Sequence, residues 1–257
     1  MLSEERYARI LENLAVNGSV TVAEIAETFK VSAETVRRDL IYLEAQGRLK
    51  RVFGGAIANE SAVRFEDFPL RLKTHREQKV EVAYNISSFI CEGDIIALDA
   101  GTTAVEVAEV LKEKFKRLTV LTYSLSVFEA LKDCFNVVLS GGEYYPKEEA
   151  FYGELATANI GMLHSNKCFI FPSAVSVEYG VEDYVPCFIP VQREIIRNSD
   201  HVYIAADSSK FDSRAFIKLC DVQPEFVYIT DGGISAETEK KFTDNSLSLF
   251  KGGINRE

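Results

Sequence analysis

From Gly93 onward the chain repeats one pattern: a short apolar run, a polar turn, then residues at helical spacing. Ile95-Ile96-Ala97-Leu98 leads into Asp99-Ala100-Gly101-Thr102-Thr103 and a helical stretch over 104–115. Leu118-Thr119-Val120-Leu121-Thr122 leads into Tyr123-Ser124 and a helix over 127–132, and Val137-Val138-Leu139 closes on Gly141-Gly142. Further strands are expected over 167–171, 201–205 and 226–230, and further helices over 76–90, 189–198 and 235–250. Strands this short and this uniformly apolar are covered on both faces, and strands that alternate with helices pair in parallel. The pattern commits most of the chain to a mainly parallel α/β domain.

The first sixty residues differ. Tyr7, Ile10, Leu11 and Leu14 follow a cap at Ser3 with helical spacing, and Asn17-Gly18 stops them. Thr21-Val22-Ala23-Glu24 is a capping box ahead of the apolar face Val22, Ile25, Ala26 and Phe29. Ser32 caps a third helix with the stripe Val36, Leu40 and Leu43, which Gly47 ends. A short helix, a tight turn and a further helix spell a helix-turn-helix. Two short runs around Gly54-Gly55 predict a β-hairpin, the wing. The expected organisation is a winged helix-turn-helix over 1–57, a connector over 58–75 and an α/β domain over 76–257.

A net charge of −10 looks wrong for a DNA-binding protein until its distribution is read. Residues 30–56 carry Lys30, Arg37, Arg38, Arg48, Lys50 and Arg51 against Glu34, Asp39 and Glu44, a local net of +3. That window is the third helix and the wing, where a DNA contact could form. Ser32, Thr35, Arg37 and Arg38 occupy the exposed face and start of the helix that enters the major groove in this motif. The arginine fork suits guanine edges or phosphates, and which of Arg37 and Arg38 reads a base stays open. Lys50 and Arg51 suit phosphate or minor-groove contact. The expected partner is double-stranded operator DNA.

Five scattered cysteines without a CxxC pair argue against a disulfide framework and structural zinc. His75, His164 and His201 lack partners at metal-ligand spacing, so no metal is expected. No apolar run approaches the roughly 18 residues that span a bilayer. The acidic start does not resemble a signal peptide. A cytoplasmic protein without a membrane partner is expected.

In parallel sheets ligands bind beyond the carboxyl ends of the strands. Three polar loops lie there. In Asp99-Ala100-Gly101-Thr102-Thr103, Gly101 admits close backbone approach, the hydroxyls donate, and the amides of a helix start favour an anion. Thr122-Tyr123-Ser124 is the second loop. Ala206-Asp207-Ser208-Ser209-Lys210-Phe211 is the third, where Lys210 could pair with a phosphate or carboxylate.

Val36-Arg37-Arg38-Asp39-Leu40, Leu43-Glu44-Ala45-Gln46-Gly47 and Leu49-Lys50-Arg51-Val52-Phe53-Gly54-Gly55-Ala56 closely resemble the DeoR family of bacterial transcription regulators. The resemblance continues through Leu98-Asp99-Ala100-Gly101-Thr102-Thr103, Gly141-Gly142-Glu143 and the loop from Ala206 to Phe211, and spans most of the chain. It implies DNA binding at Ser32, Thr35, Arg37, Arg38, Lys50 and Arg51. It also implies a sensor domain, similar in fold to ribose phosphate isomerases, that answers to phosphorylated sugars or related intermediates. By that implication Gly101, Thr102, Thr103 and Lys210 line the effector site. Asp99, Thr122, Tyr123, Ser124, Gly141 and Gly142 complete the candidate set.

The chain also departs from the family pattern. Tyr123 stands where the family has Asn, Ser173-Ala174 where it has Asp-Gly, Asn166 where it has Asp, and Gln192 where a basic residue is common. These departures imply an altered effector or a weakened response. The expected function is a repressor acting as a homodimer or homotetramer, without a cofactor. The competing reading is a sugar-phosphate isomerase-like enzyme fused to a DNA-binding module. It needs a general base; Ser173-Ala174 offers none, although Glu178, Glu182 and Asp183 lie nearby in sequence.

Overall fold

The computed structural model describes residues 6–7, 9–11, 13–14, 19–45, 49–52, 54–57 and 67–252. The chain divides into two compact units, Met1–Phe65 and Glu66–Glu257. The expected cap at Ser3, the stops at Asn17-Gly18 and Gly47, Arg48, Phe53 and most of the connector lie outside the described residues.

In the first unit, residues 6–7, 9–11 and 13–14 are helical (α1). Then come β1 (Ser19–Thr21), α2 (Val22–Phe29), α3 (Ala33–Ala45), β2 (Lys50–Val52) and β3 (Gly55–Ile57). The capping box forms as expected: Thr21 Oγ1 accepts from the Glu24 amide at 3.2 Å and the Glu24 carboxylate accepts from the Thr21 amide at 2.9 Å. Ile10, Leu14, Ile25, Phe29, Val36, Leu40, Leu43 and Leu49 make the core. The wing is an antiparallel β2–β3 pair in register Lys50↔Ile57, and β1 adds to its other edge. Sequence reading missed β1 because three residues are too few to show alternation.

The second unit opens with α4 (Phe68–Lys73) and α5 (Arg76–Ser87). α4 lies within the stretch read as the connector, and its helical character had not been anticipated there. Pro69 in its first turn lacks an amide that would be unbonded there anyway, and buried Phe68 anchors it. Next come β4 (Ile95–Leu98), α6 (Thr102–Lys114), β5 (Thr119–Thr122), α7 (Leu125–Leu131), β6 (Asn136–Leu139), β7 (Glu143–Tyr145), β8 (Ala150–Tyr152), α8 (Glu154–Gly161) and β9 (Ser165–Ile170). The chain continues through β10 (Ala174–Ser176), β11 (Gly180–Asp183), α9 (Ile189–Arg197), β12 (Ser199–Ala205), β13 (Ile217–Cys220), β14 (Val227–Ile229), α10 (Ala236–Asp244) and β15 (Ser248–Phe250).

Seven strands form one sheet in the order β15-β14-β12-β9-β4-β5-β6, and every neighbouring pair is parallel. Each expected strand lies in this sheet. The helix expected over 235–250 ends at Asp244 instead. Ser246 takes a left-handed backbone (φ 57°), and Ser248–Phe250 turns outward to pair with β14. β5 and β6 extend the sheet to one side of β4, while β9, β12, β14 and β15 extend it to the other. The side on which successive strands are added therefore reverses between β4 and β9, which is where open α/β sheets place ligands. Two antiparallel additions, β7–β8 and β10–β11–β13, complete the unit.

Candidate functional site

Residues three and four apart share a helix face, so α3 presents Glu34, Arg37, Arg38 and Ile41 together. Arg37 and Arg38 are exposed, and each approaches Glu34 only to 3.7 Å. Exposed pairs of this kind hold by less than about 1 kcal/mol, so a phosphate or base can displace them. Ser32 caps α3, accepting from the Thr35 amide at 3.1 Å, and its hydroxyl lies 2.9 Å from the Thr35 hydroxyl. Arg51 is not loose: its amide and its Nε donate to Glu44 at 2.9 and 2.6 Å, tying the wing to α3. Those bonds hold the Glu44 carboxyl below its usual range. Lys50 lies in β2, and its side chain is outside the described residues.

Two features of this face escaped the sequence reading. Ile41 and Tyr42 are half exposed beside the arginines. Asp39, one of the acids counted in the local charge, is buried: Arg6 donates to it through Nε at 2.5 Å and Nη2 at 2.9 Å, pinning α1 to α3. The signal was present, since Asp39 falls inside the buried stripe of Val36, Leu40 and Leu43.

In the second unit the loop after β4 stands at the sheet's reversal point. Gly101 precedes α6 with φ 122°, a conformation that disfavours any side chain, and open space surrounds the position its Cβ would take. No side chain caps α6, and Thr102 and Thr103 form its first turn. Lys79 lies on α5, which packs against α6, and its ammonium donates to the Arg71 carbonyl and, at 2.7 Å, to the Thr74 carbonyl. Burial lowers the Lys79 ammonium to about 8, and Lys210 and Arg71 add to the effect.

Lys79 was missed. It sits at a core position of α5, in one stripe with Val82, Ala83 and Ile86. A lysine on an otherwise apolar stripe is the sign that could have found it.

Asp99 is brought to the same place but is fully occupied. Its Oδ1 accepts from the Ala100 amide at 2.8 Å and from the Tyr123 hydroxyl, and its Oδ2 from the Phe171 amide at 3.0 Å and Gln192 Nε2 at 3.1 Å. Burial nevertheless raises its carboxyl to about 6. Tyr123 is wholly buried, edge-on to Phe188 at 5.4 Å, and burial with the nearby Asp99 charge raises its phenol well above the usual range. Thr122 Oγ1 accepts from the Ser124 amide at 3.1 Å, and Ser124 caps α7 through the Val127 amide at 3.3 Å. Gly142 is small for packing: a Cβ there would lie 2.4 Å from the Tyr152 carbonyl. Gly141 has open space around it. The hydrogen bonds commit Asp99, Thr122, Tyr123 and Ser124 to holding the strand ends together, while Gly101 stands ahead of α6 with open space about it.

The departures at Tyr123, Ser173 and Gln192 converge on two carboxylates. Gln192 Nε2 bridges Asp99 to Asp183, at 2.8 Å from the latter, and the Ser173 hydroxyl donates to Asp183 at 2.7 Å. Asp183 is therefore tied into structure. Glu182 is too, accepting from Arg214 Nε at 2.9 Å and the Ala215 amide at 3.0 Å.

Residues 6–62 match the DeoR-like helix-turn-helix domain, and residues 74–232 match the DeoR C terminal sensor domain. The chain belongs to the DeoR family. This DeoR-family protein is 32% identical to the HTH-type transcriptional regulator YulB of Bacillus subtilis (strain 168), over 97% of this chain and 96% of that one. It is 32% identical to the lactose phosphotransferase system repressor of Lactococcus lactis subsp. lactis, over 97% and 99%. It is 30% identical to the transcriptional regulator IolR of Bacillus subtilis (strain 168), over 95% and 97%. Among solved structures, ribose 5 phosphate isomerase A of Neisseria gonorrhoeae aligns at 19% identity over 55% of this chain and 56% of that one, with a TM-score of 0.40. The DeoR-family protein is a DNA-binding transcription regulator and not an enzyme. Among the described residues no helix is long and apolar enough to cross a membrane.

Proposed function

We propose that this DeoR-family regulator represses a sugar-utilisation operon in the cytoplasm and releases its operator when a phosphorylated sugar occupies the second unit. Residues 1–57 act as the DNA-binding part and 76–257 as the effector-binding and associating part. Two winged helices on a homodimer or homotetramer would meet repeated half-sites. The names of the lactose phosphotransferase repressor and its relatives support the sugar-operon reading. The observation that carries the effector reading is the uncapped start of α6 at the reversal point of the sheet, with Gly101 at φ 122° ahead of Thr102 and Thr103. An uncapped helix start favours a phosphate.

Thermal unfolding of the full chain against phosphorylated sugars, polyols and glycolytic intermediates tests this. A ligand that binds the folded protein adds about 2.7 kcal/mol at a hundred times its dissociation constant. Thr102→Glu places a negative charge at the anion site and should erase both that shift and the effector response while operator affinity stays unchanged. A variant that still responds normally would move the site elsewhere.

On the DNA side, Arg38→Ala should weaken operator binding by roughly 1–3 kcal/mol if Arg38 reads a guanine. Loss would be uniform across sequences if it holds a phosphate. Ile41, on the same face, suits a thymine methyl. Competition gel shifts with scrambled operator distinguish the cases, and unchanged affinity would remove Arg38 from the interface.

A further inference from the structure

Helix α8 is apolar on both faces. Ala156 and Ile160 turn inward and are buried. Leu155, Ala158 and Met162, the residue that ends the helix, fall at i, i+3 and i+7 and form one outward stripe. Leu155 is 71% and Met162 77% exposed, the two most exposed large apolar side chains among the described residues. Apolar residues exposed singly are ordinary, but a shared stripe beside a groove marks an interaction site.

The groove lies between α8 and α9, with a volume of about 730 Å³, and Ala158, Gly161, Met162, Cys187 and Pro190 are among its walls. The two helices run parallel. At their starts Tyr152, just before α8, meets the ring of Phe188, just before α9, at 6.5 Å. At their ends a Cβ on Gly161 would lie 2.7 Å from Glu194 Oε1. The groove therefore has an acidic and a basic end. Glu154 is exposed in the first turn of α8, and Arg197 lies in the last turn of α9. Both bonds from Arg197 to Glu194 run from Nη2, and the Arg197 side chain is 73% exposed, so Nε and Nη1 can donate to a second carboxylate.

This face complements itself. A two-fold axis through Ala158 reverses the second α8, so Leu155 of each copy, three residues before the axis, meets Met162 of the other, four residues after it. The same rotation brings the acidic end of each groove to the basic end of the other, and charges so placed fix orientation. Ala158 and Gly161 near the axis are small, which lets the two helices pack closely. One patch serving both copies is the requirement of an isologous contact. We propose that the α8 face is where a second copy of this chain docks, antiparallel across a two-fold axis at Ala158. The proposal rests on the associating role given above to the second unit and names its surface.

Sedimentation of the full chain tests it. Met162→Glu should halve the mass of the wild-type assembly, weakening the contact by about thirtyfold or more, with unchanged circular dichroism. Met162→Leu should stay near wild type. Ala158→Cys should cross-link to its own copy on mild oxidation in much higher yield than wild type, whose exposed Cys91 and Cys134 set the background. An undiminished mass in Met162→Glu overturns the α8 contact and leaves the associating role standing; it is also the result expected if a small apolar ligand fills the groove. Halved mass without the Ala158→Cys cross-link overturns the two-fold pairing at Ala158. A wild type that runs as a monomer throughout overturns the associating role and the α8 contact together.

Discussion

Asp39→Ala should abolish operator binding through the fold of the first unit, leaving the exposed arginines of α3 in place but without a framework. The carboxylate is buried and receives two donors from Arg6, which is itself buried. Removing one partner of a buried pair costs about 3–5 kcal/mol, since the remaining charge is left without compensation. A core of this size supplies a net stability of about the same magnitude. The unit should therefore be largely unfolded, with fast hydrogen exchange over 19–45 and unchanged exchange in the sheet of the second unit. Replacing both members, Arg6→Met with Asp39→Leu, removes the stranded charge and should restore most of the folding and binding. Native-like operator binding by Asp39→Ala would show that α1 is held by the apolar core alone.

Asp99→Ala should have the matching effect on the second unit. It leaves four donors, two amides, a phenol and a side-chain amide, without their shared acceptor at the ends of β4, β5 and β9. A buried donor without a partner costs about 1–3 kcal/mol, and partial rearrangement keeps the sum near 4 kcal/mol. The loss should appear as a lower urea midpoint for 67–252 with an unchanged slope. The pH dependence carries a sign. The Asp99 carboxyl is raised from 3.8 to about 6, so between those values the folded protein holds more proton than the unfolded chain. Its contribution is complete below about pH 4 and is lost as the pH rises through about 6. The stability gap between wild type and Asp99→Ala should narrow across that window. A gap that widens with pH would mean that Asp99 is a stabilised carboxylate and that its four donors outweigh its burial.

The legible and illegible parts of this protein divide by the range of the interaction. Thr21 and Glu24 are three residues apart, and their capping box is as the residues dictate. The apolar run Ile95–Leu98 and the turn after it announced both a buried parallel strand and a helix start. Antiparallel β10–β11–β13 was not announced, because its strands are three or four residues long and one partner lies more than thirty residues away. α4 was hidden by Pro69 and its charges, and the strand β15 by its continuity with α10.

The site divides in the same way. Gly101, Thr102 and Thr103 are proposed from adjacency alone, since a glycine and two hydroxyls at a helix start describe a local anion cradle. The contacts of Lys79, Arg71 and Glu148 could not be read in this way, since the pair Arg71 and Glu148 is separated by 77 residues and closes only when α4 packs beside the β7–β8 hairpin. The sequence by itself determined the two units, the α/β class and the arginines of α3, because apolar periodicity, caps and turn chemistry act over a few residues. The tertiary structure alone decided that Tyr123 and Gln192 fill Asp99, that Asp39 is a core ion pair, and that Lys79 holds α4. A buried charge is placed by whichever partner the fold brings to it, and that partner is distant in the chain.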